Sequence, residues 1–228
     1  MNTRELLLEM IRDDLGRGDI TTEAVIDPDV RARGFIVARE RGVLAGVQEA
    51  CSVFRLAGVR TQVLKKDGSA VRAGDKIMEV RGNARKILKV ERVALNLLMR
   101  MSGIATATAE LVRLAKRANP RVVVAATRKT APLLTRFDKR AVEVGGGSPH
   151  RRDLSEQVLI KRNHVRIVGS IESAVRSAKK AKRRPIEIEV STAEEALRAA
   201  RAGADIIMLD NMRVSEVRRA VELLKQEG

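Results

Sequence analysis

Residues 185–211, PIEIEVSTAEEALRAARAGADIIMLDN, decide how the chain folds. Ile186, Ile188 and Val190 alternate with Glu187 and Glu189, which is the period of a strand with two chemically different faces. A helix is predicted near 192–202, and residues 205–209, apolar after Asp205, follow as a second strand. Strand, helix and strand in succession describe a parallel sheet covered by helices. The apolar side of 186–190 packs on the helix layer, which turns both glutamates toward a barrel interior. Two acids there are costly unless a metal, a cation or a bound hydroxyl compensates them.

The same rhythm extends upstream and downstream. Strands are predicted at 122–126, 158–160 and 165–168, and helices near 133–143, 171–182 and 214–225. The last helix carries Val214, Val217, Val221 and Leu224 on one face. Such a sheet, open or closed into a barrel, binds ligands at the C-terminal ends of its strands. Polar residues gather at those ends: Thr127, Arg128 and Lys129 after the first strand, Lys161, Arg162, Asn163 and His164 after the second, and Asp210 and Asn211 after the last. The span 127–166 holds ten basic against four acidic side chains, the triple glycine Gly145 to Gly147 and both histidines. This reads as the anion-binding floor of an active site. Arginine forks grip carboxylates, lysine acts as a point charge on phosphate, and glycines let backbone N–H groups approach an anion. His150, beside Arg151, is a candidate ligand group, whereas His164 reads as structural.

The N-terminal part has a different texture. A helix is predicted over 2–15 with Gly16 as its stop, then a loop through GRGDITTEAV and a strand at 35–38. A glycine-bounded turn follows at 42–46, a helix at 47–57, and hairpin-like strands at 61–65 and 76–80. Helices are expected at 83–101, with Ile87, Leu88, Leu95 and Leu98 buried, and at 103–118, with Ser102 as the N-cap of the second. The expected architecture is therefore α/β: a mixed α and β unit with hairpin-like pairing, followed by a parallel sheet covered by helices, open or closed into a barrel.

Composition narrows the partners. The chain has 228 residues, a net charge of +16, one cysteine, three Phe and no Trp or Tyr. Residues 1–102 carry 19 basic and 14 acidic side chains, so most of the excess lies beyond them. A basic surplus points to polyanions, among them nucleic acid, anionic membranes and phosphorylated or carboxylated metabolites. Scarce aromatics remove the stacking platforms of single-strand binders, which disfavours nucleic acid but leaves duplex phosphate contact open. A lone Cys51 excludes an intrachain disulfide and a cysteine-built zinc site. No apolar run reaches the about 18 residues of a membrane span, so a cytoplasmic protein is expected. Neither a phosphate-cradling G-x-x-x-x-G-K-[ST] nor a G-x-G-x-x-G after a strand is present.

Several ordered motifs carry a resemblance: G-R-G-D-I-T-T at 16–22, E-R-V-A-L-N at 91–96, M-S-G-I-A-T at 101–106, T-R-K-T at 127–130, G-G-G-x-x-H-R at 145–151, L-I-K-x-N-H at 159–164, E-I-E at 187–189 and L-D-N at 209–211. Together they resemble the quinolinate phosphoribosyltransferase family over essentially the whole chain. The resemblance implies an N-terminal α/β sandwich-like domain, residues 1–102, and a C-terminal open, incomplete α/β barrel of parallel strands, residues 103–228. It also implies a homodimer, or a higher homo-oligomer, whose active site is completed by the partner's N-terminal domain. It implies transfer of the phosphoribosyl group of phosphoribosyl pyrophosphate to quinolinate with decarboxylation, a step of NAD biosynthesis. By the same resemblance Arg92 reaches a quinolinate carboxylate across the interface. Thr127, Arg128, His150 and Arg151 line the dicarboxylate, with Lys129 and Lys161 beside substrate anions. Glu189 and Asp210 sit by the ribose hydroxyls and a Mg2+ ion shared with substrate. Lys129, Lys161, Glu189 and Asp210 are thereby the expected catalytic residues.

The pattern also departs from the family. Leu133, Leu134 and Thr135 follow Pro132 where the family usually has G-L-R. Arg162 stands where an acid is common, and Arg140 where a Tyr is usual. The resemblance further implies several dozen residues beyond Gly228, bearing another strand and the glycine loops that hold the sugar phosphate. The residues leave open a weakly active or inactive relative that binds anionic metabolites, a molybdenum-transport-associated paralogue, or a basic nucleic-acid-binding protein.

Overall fold

The computed structural model describes residues 2–227, which divide into two compact units, residues 2–150 and 151–227. The first unit begins with helix α1 (Thr3–Leu15), closed at its start by a capping box. The Asn2 side chain accepts from the Glu5 amide, and the Glu5 carboxylate accepts from the Asn2 amide. The segment expected as a loop contains a short helix, α2 (Ile20–Val25). Asp19 caps it by accepting from the Thr22 amide, and the Thr22 side chain first, with that amide second, holds the Asp19 carboxyl below its ordinary pKa.

Strands β1 (Arg31–Val37) and β2 (Gly42–Val43), helix α3 (Val47–Leu56), and strands β3 (Arg60–Val63), β4 (Ala70–Val71) and β5 (Lys76–Asn83) follow. β5 lies between β1 and β3 and pairs antiparallel with both. The expected turn at 42–46 instead supplies β2, which forms an antiparallel ribbon with β4.

Helix α4 (Ala84–Ala118) runs unbroken for 35 residues, so the expected break at Ser102 does not occur. The Ser102 hydroxyl is engaged elsewhere. It accepts from the Ala45 amide and donates to the Ala45 carbonyl, and one turn on, the Thr106 hydroxyl accepts from the Val43 amide. These two residues clamp the 43–45 backbone onto the helix, which Gly46 permits with φ +95 and no room for a Cβ beside Met101 and Leu98. Ile87 and Leu98 are buried as expected, but Leu95 is only partly buried and Leu88 is exposed. The core of the unit contains Leu7, Leu44, Phe54, Met78, Met101 and, from helix α5 (Thr135–Val144), Phe137. Burying one such large side chain stabilises the fold by about 2–3 kcal/mol.

Residues 122–126 are not a sheet strand. Their pairing among the described residues is a single parallel bridge, Ala125 with Ser148, and Val123 is 68% exposed.

The second unit consists of strand β6 (Val158–Ile160), helices α6 (Arg162–Val168) and α7 (Ile171–Lys180), strand β7 (Ile186–Val190), helix α8 (Ala193–Ala202), strand β8 (Ile206–Leu209) and helix α9 (Val214–Glu227). The strands form an open parallel sheet in the order β6-β7-β8. Its core is small-chained: Ile186, Ile188 and Val190 of β7 pack with Val175 and with Ala193, Ala196 and Ala199, spaced three apart on α8. The 165–168 strand is corrected to a helix, closed by Gly169 at φ +98 with its amide on the Val165 carbonyl. The apolar stripe expected on the last helix is half covered, with Val217 and Leu224 partly buried. Val214 and Val221 are exposed, and Ala220 is the buried residue of α9.

Candidate active site

Alternation in β7 places its residues as the sequence predicts. Ile186, Ile188 and Val190 are buried in the helix-packed core, and Glu187 and Glu189 occupy the other face. Glu187 is buried, with Oε2 accepting from Gln157 Nε2 at 2.9 Å, so it is a compensated interior acid. Glu189, one strand repeat further, reaches the open end of the sheet. It lines a cleft of about 350 Å3 with Lys161, Arg162, Asn163, Asp210 and Asn211.

Three of the expected site residues, Lys161, Glu189 and Asp210, thus meet at the C-terminal ends of β6, β7 and β8. The parallel register, Leu159 beside Glu187 and Val190 beside Leu209, brings those ends level. Lys161 Nζ lies 3.5 Å from Glu189 Oε2, and Asn211 Nδ2 donates to Asp210 Oδ2 at 3.1 Å. Asn211 holds a left-handed backbone with φ +54, a conformation its short polar side chain tolerates. Arg162, Asn163 and Asn211, noted in the sequence among the polar strand-end residues but given no role there, line the cleft as well; Arg162 and Asn211 each directly follow a residue assigned to the site. His164 takes a structural role, its Nδ1 accepting from the Lys161 amide at 2.8 Å at the start of α6. A smaller cavity against the same strand end is lined by Arg162, Val165, Ile171, Glu189, Val190, Ser191 and Glu195.

In the first unit the T-R-K-T segment is exposed and irregular. Thr127, Arg128 and Lys129 lie after the single bridge, not on the end of a buried strand. The Thr127 hydroxyl accepts from the Lys129 amide at 3.1 Å, turning the two cations outward from the chain. The bridge ties this segment to the glycine loop: the Ala126 amide donates to the Ser148 carbonyl and the Ser148 amide to the Val124 carbonyl, both at 2.8 Å.

The glycines themselves do not form an anion cradle. Their three amides donate to the carbonyls of Ala141, Glu143 and Val142. A Cβ on Gly145 would lie 2.5 Å from the Ala105 carbonyl oxygen and 2.7 Å from the Thr108 Cβ. Close packing against α4, therefore, is what Gly145 demands, whereas Gly146 holds a left-handed backbone with φ +85. His150 follows with φ +52 and its amide on the Ser148 hydroxyl. Arg92 is exposed on α4. Arg151, at the start of the second unit, is buried and donates from Nη1 to the Gln157 carbonyl at 3.1 Å.

The departures from the family pattern have local accounts. Leu133, where glycine is usual, sits in the left-handed region with φ +65 and is 69% exposed. Its side chain therefore bears strain of about 1–2 kcal/mol without packing in return. Thr135 shares a 2.7 Å hydroxyl hydrogen bond with Thr130 of T-R-K-T. Arg140 bridges Glu49, which is buried, and Asp67, the latter at 2.8 Å. Arg162 enters the cleft.

A mixed α/β chain with a parallel sheet whose strand ends expose facing cations and carboxylates is an enzyme scaffold for anionic small molecules. The comparisons with known proteins make this specific. The family model described as the N-terminal domain of quinolinate phosphoribosyl transferase matches residues 19–102, and that of the C-terminal domain matches residues 104–228. A probable nicotinate-nucleotide pyrophosphorylase (carboxylating) of Methanothermobacter thermautotrophicus is 44% identical over 226 residues, 98% of this chain and 81% of the relative. That of Archaeoglobus fulgidus is 48% identical over 211 residues, 92% and 80% of the two chains. The crystal structure of NadC from Streptococcus pyogenes matches with a TM-score of 0.89 and 39% identity, covering 97% of this chain and 79% of that one. The chain belongs to the quinolinate phosphoribosyltransferase family, with its N-terminal α/β domain and C-terminal α/β-barrel-like domain.

Proposed function

We propose that the protein is a carboxylating pentosyltransferase of NAD biosynthesis, joining quinolinate to the ribose of phosphoribosyl pyrophosphate. The observation that carries this is the cleft where Lys161, Glu189 and Asp210 meet, in a chain matched along residues 19–102 and 104–228 by the family's two domain models. The pyridine nitrogen attacks the anomeric carbon as its bond to pyrophosphate breaks. The carboxyl group beside the nitrogen then leaves as CO2, and a proton replaces it on the ring carbon. The products are nicotinate mononucleotide, pyrophosphate and CO2.

The charges on the chain suit each demand of that sequence. Departure of pyrophosphate leaves positive character on the sugar, which the carboxylates of Glu189 and Asp210 stabilise from the cleft. Lys161 faces the phosphosugar as a point charge. Thr127, Arg128, Lys129, His150 and Arg151 serve the carboxylates of the ring acid. A cation near the ring carbon stabilises the electron pair left by decarboxylation. The donor set also fits magnesium. The cleft offers two carboxylates, and no cluster of three or more His, Cys, Asp or Glu ligands occurs among the described residues. Magnesium characteristically takes one or two carboxylates and completes its shell with substrate oxygens. Glu189 and Asp210 would hold it, and it would supply neutralisation of the diphosphate.

We further assign a homodimer or larger homo-oligomer in which Arg92 serves the partner's substrate. Its exposure on α4 supports this. A cytoplasmic setting goes with the pathway, and no helix among the described residues is long and apolar enough to cross a membrane. The reading is tested by incubating the pure protein with quinolinate, phosphoribosyl pyrophosphate and magnesium. Nicotinate mononucleotide, pyrophosphate and CO2 should appear in equal amounts, with none formed when quinolinate is omitted. Quinolinate binding by calorimetry without turnover would select the metabolite-binding relative instead.

A further inference from the structure

The proposed roles leave one charge in the cleft without a task. Arg162 lines it beside Lys161, Glu189 and Asp210, and also lines the smaller cavity at the end of β7. Its neighbours are already engaged, Lys161 with Glu189 and Asp210 with Asn211. Arg162 is exposed, and its guanidinium makes no hydrogen bond or ion pair among the described residues.

We propose that Arg162 is a fixed counter-charge for the diphosphate of the phosphosugar, doing in this chain part of the neutralisation that otherwise falls to magnesium. This deepens the phosphoribosyl-transfer reading and rests on it. With Lys161 and Arg162 facing Glu189 and Asp210, the four charged cleft residues sum to zero. An acid at position 162, as in the motif the chain otherwise resembles, would make that sum minus two. A diphosphate entering a negative cleft must bring divalent cations with it. One entering a neutral cleft meets a planar donor fork that can grip two oxygens at once. Because Arg162 is solvent-facing, water and salt screen the interaction, and its influence is greatest where no metal competes.

Calorimetry on the whole protein decides this, with inorganic pyrophosphate as the probe, first in EDTA and then in excess magnesium. The proteins compared are the unaltered chain, Arg162→Ala and Arg162→Asp, each also titrated with quinolinate to show an intact fold. Aspartate suits the first turn of α6, so folding is preserved. The expected result is measurable binding by the unaltered chain in EDTA, weakened about tenfold by Arg162→Ala and further by Arg162→Asp. Magnesium should narrow both gaps to about threefold or less.

Arg162→Asp binding in EDTA within about twofold of the unaltered chain, or an equal loss with and without magnesium, would overturn the inference. An unaltered chain that binds quinolinate but no pyrophosphate in either condition would overturn it while leaving the ring-acid assignment standing. A chain that binds neither would overturn the phosphoribosyl-transfer reading itself, and this inference with it.

Discussion

The two compact units solve the problem of order by different means. The first buries large side chains, Phe54, Phe137, Leu44 and Met101 among them, and pairs interior acids with arginines. The second packs isoleucines of one strand against alanines of one helix and presents Lys161, Arg162, Glu189 and Asp210 at its strand ends. Bulky cores tolerate little change, because every removed methylene leaves a void. A thin alanine-faced layer instead brings helices close to the sheet and leaves the strand ends open. The lesson is a division of labour in sequence space, with the large buried side chains concentrated in the first unit and the proposed phosphosugar chemistry in the second.

This contrast can be broken by substitutions whose effects should fall in a definite order. Arg128→Ala, at an exposed position, should reduce quinolinate affinity by about a hundredfold or more while leaving the unfolding midpoint unchanged, measured by calorimetry and denaturant titration. Phe54→Ala should lower stability by about 3–5 kcal/mol in the same titration, with the activity of the remaining folded protein preserved.

The Arg100–Asp138 pair sharpens the comparison further. Its two hydrogen bonds are 2.7 and 2.8 Å long, and the guanidinium pKa is raised by the bond to Asp138. Arg100→Ala should cost about 2–3 kcal/mol because it strands the buried carboxylate. Asp138→Ala should cost less, since the freed guanidinium can turn to water. Leu133→Gly should raise stability by about 0.5–1 kcal/mol by relieving the left-handed backbone, less the added freedom of the unfolded chain.

The smallest expected effect belongs to the exposed Glu172–Arg198 pair of the second unit. The hydrogen bonds from Arg198 pull the Glu172 carboxyl from 4.5 down to about 2. A depressed acid stabilises the folded state above its unfolded pKa and loses that contribution as pH falls through the folded one. The contribution should therefore fade between about pH 4.5 and 2, and Arg198→Ala should flatten the stability profile in that window only.

How much was legible in the sequence followed the same division. The alternation of 186–190 and the polar residues after 160 and 209 announced the sheet and its cleft, because period and spacing are local properties. The run 122–126 misled because apolar character does not reveal a pairing partner, and here the chain offers one bridge. Val165, Ile167 and Val168 suggested a strand, but the His164 ring bonding back to the Lys161 amide and the Gly169 cap favour a helical turn. Ser102 looked like a helix start because its hydroxyl can cap. Only the tertiary structure shows that hydroxyl holding Ala45. The triple glycine was read as an anion cradle, yet the contacts that require Gly145 come from α4, some forty residues away in sequence.

The most direct test of the central claim compares the two acids of β7. Glu187 and Glu189 are two residues apart on one face, but the first is buried under Gln157 and the second opens into the cleft. Steady-state formation of nicotinate mononucleotide should be measured for Glu189→Ala and Glu187→Ala beside the unaltered chain, together with unfolding midpoints. The account predicts that Glu189→Ala loses about a hundredfold or more in turnover with its midpoint unchanged, whereas Glu187→Ala chiefly loses stability. A Glu189→Ala protein that turns over within about threefold of the unaltered chain would contradict the assignment of the strand-end cleft to phosphoribosyl transfer.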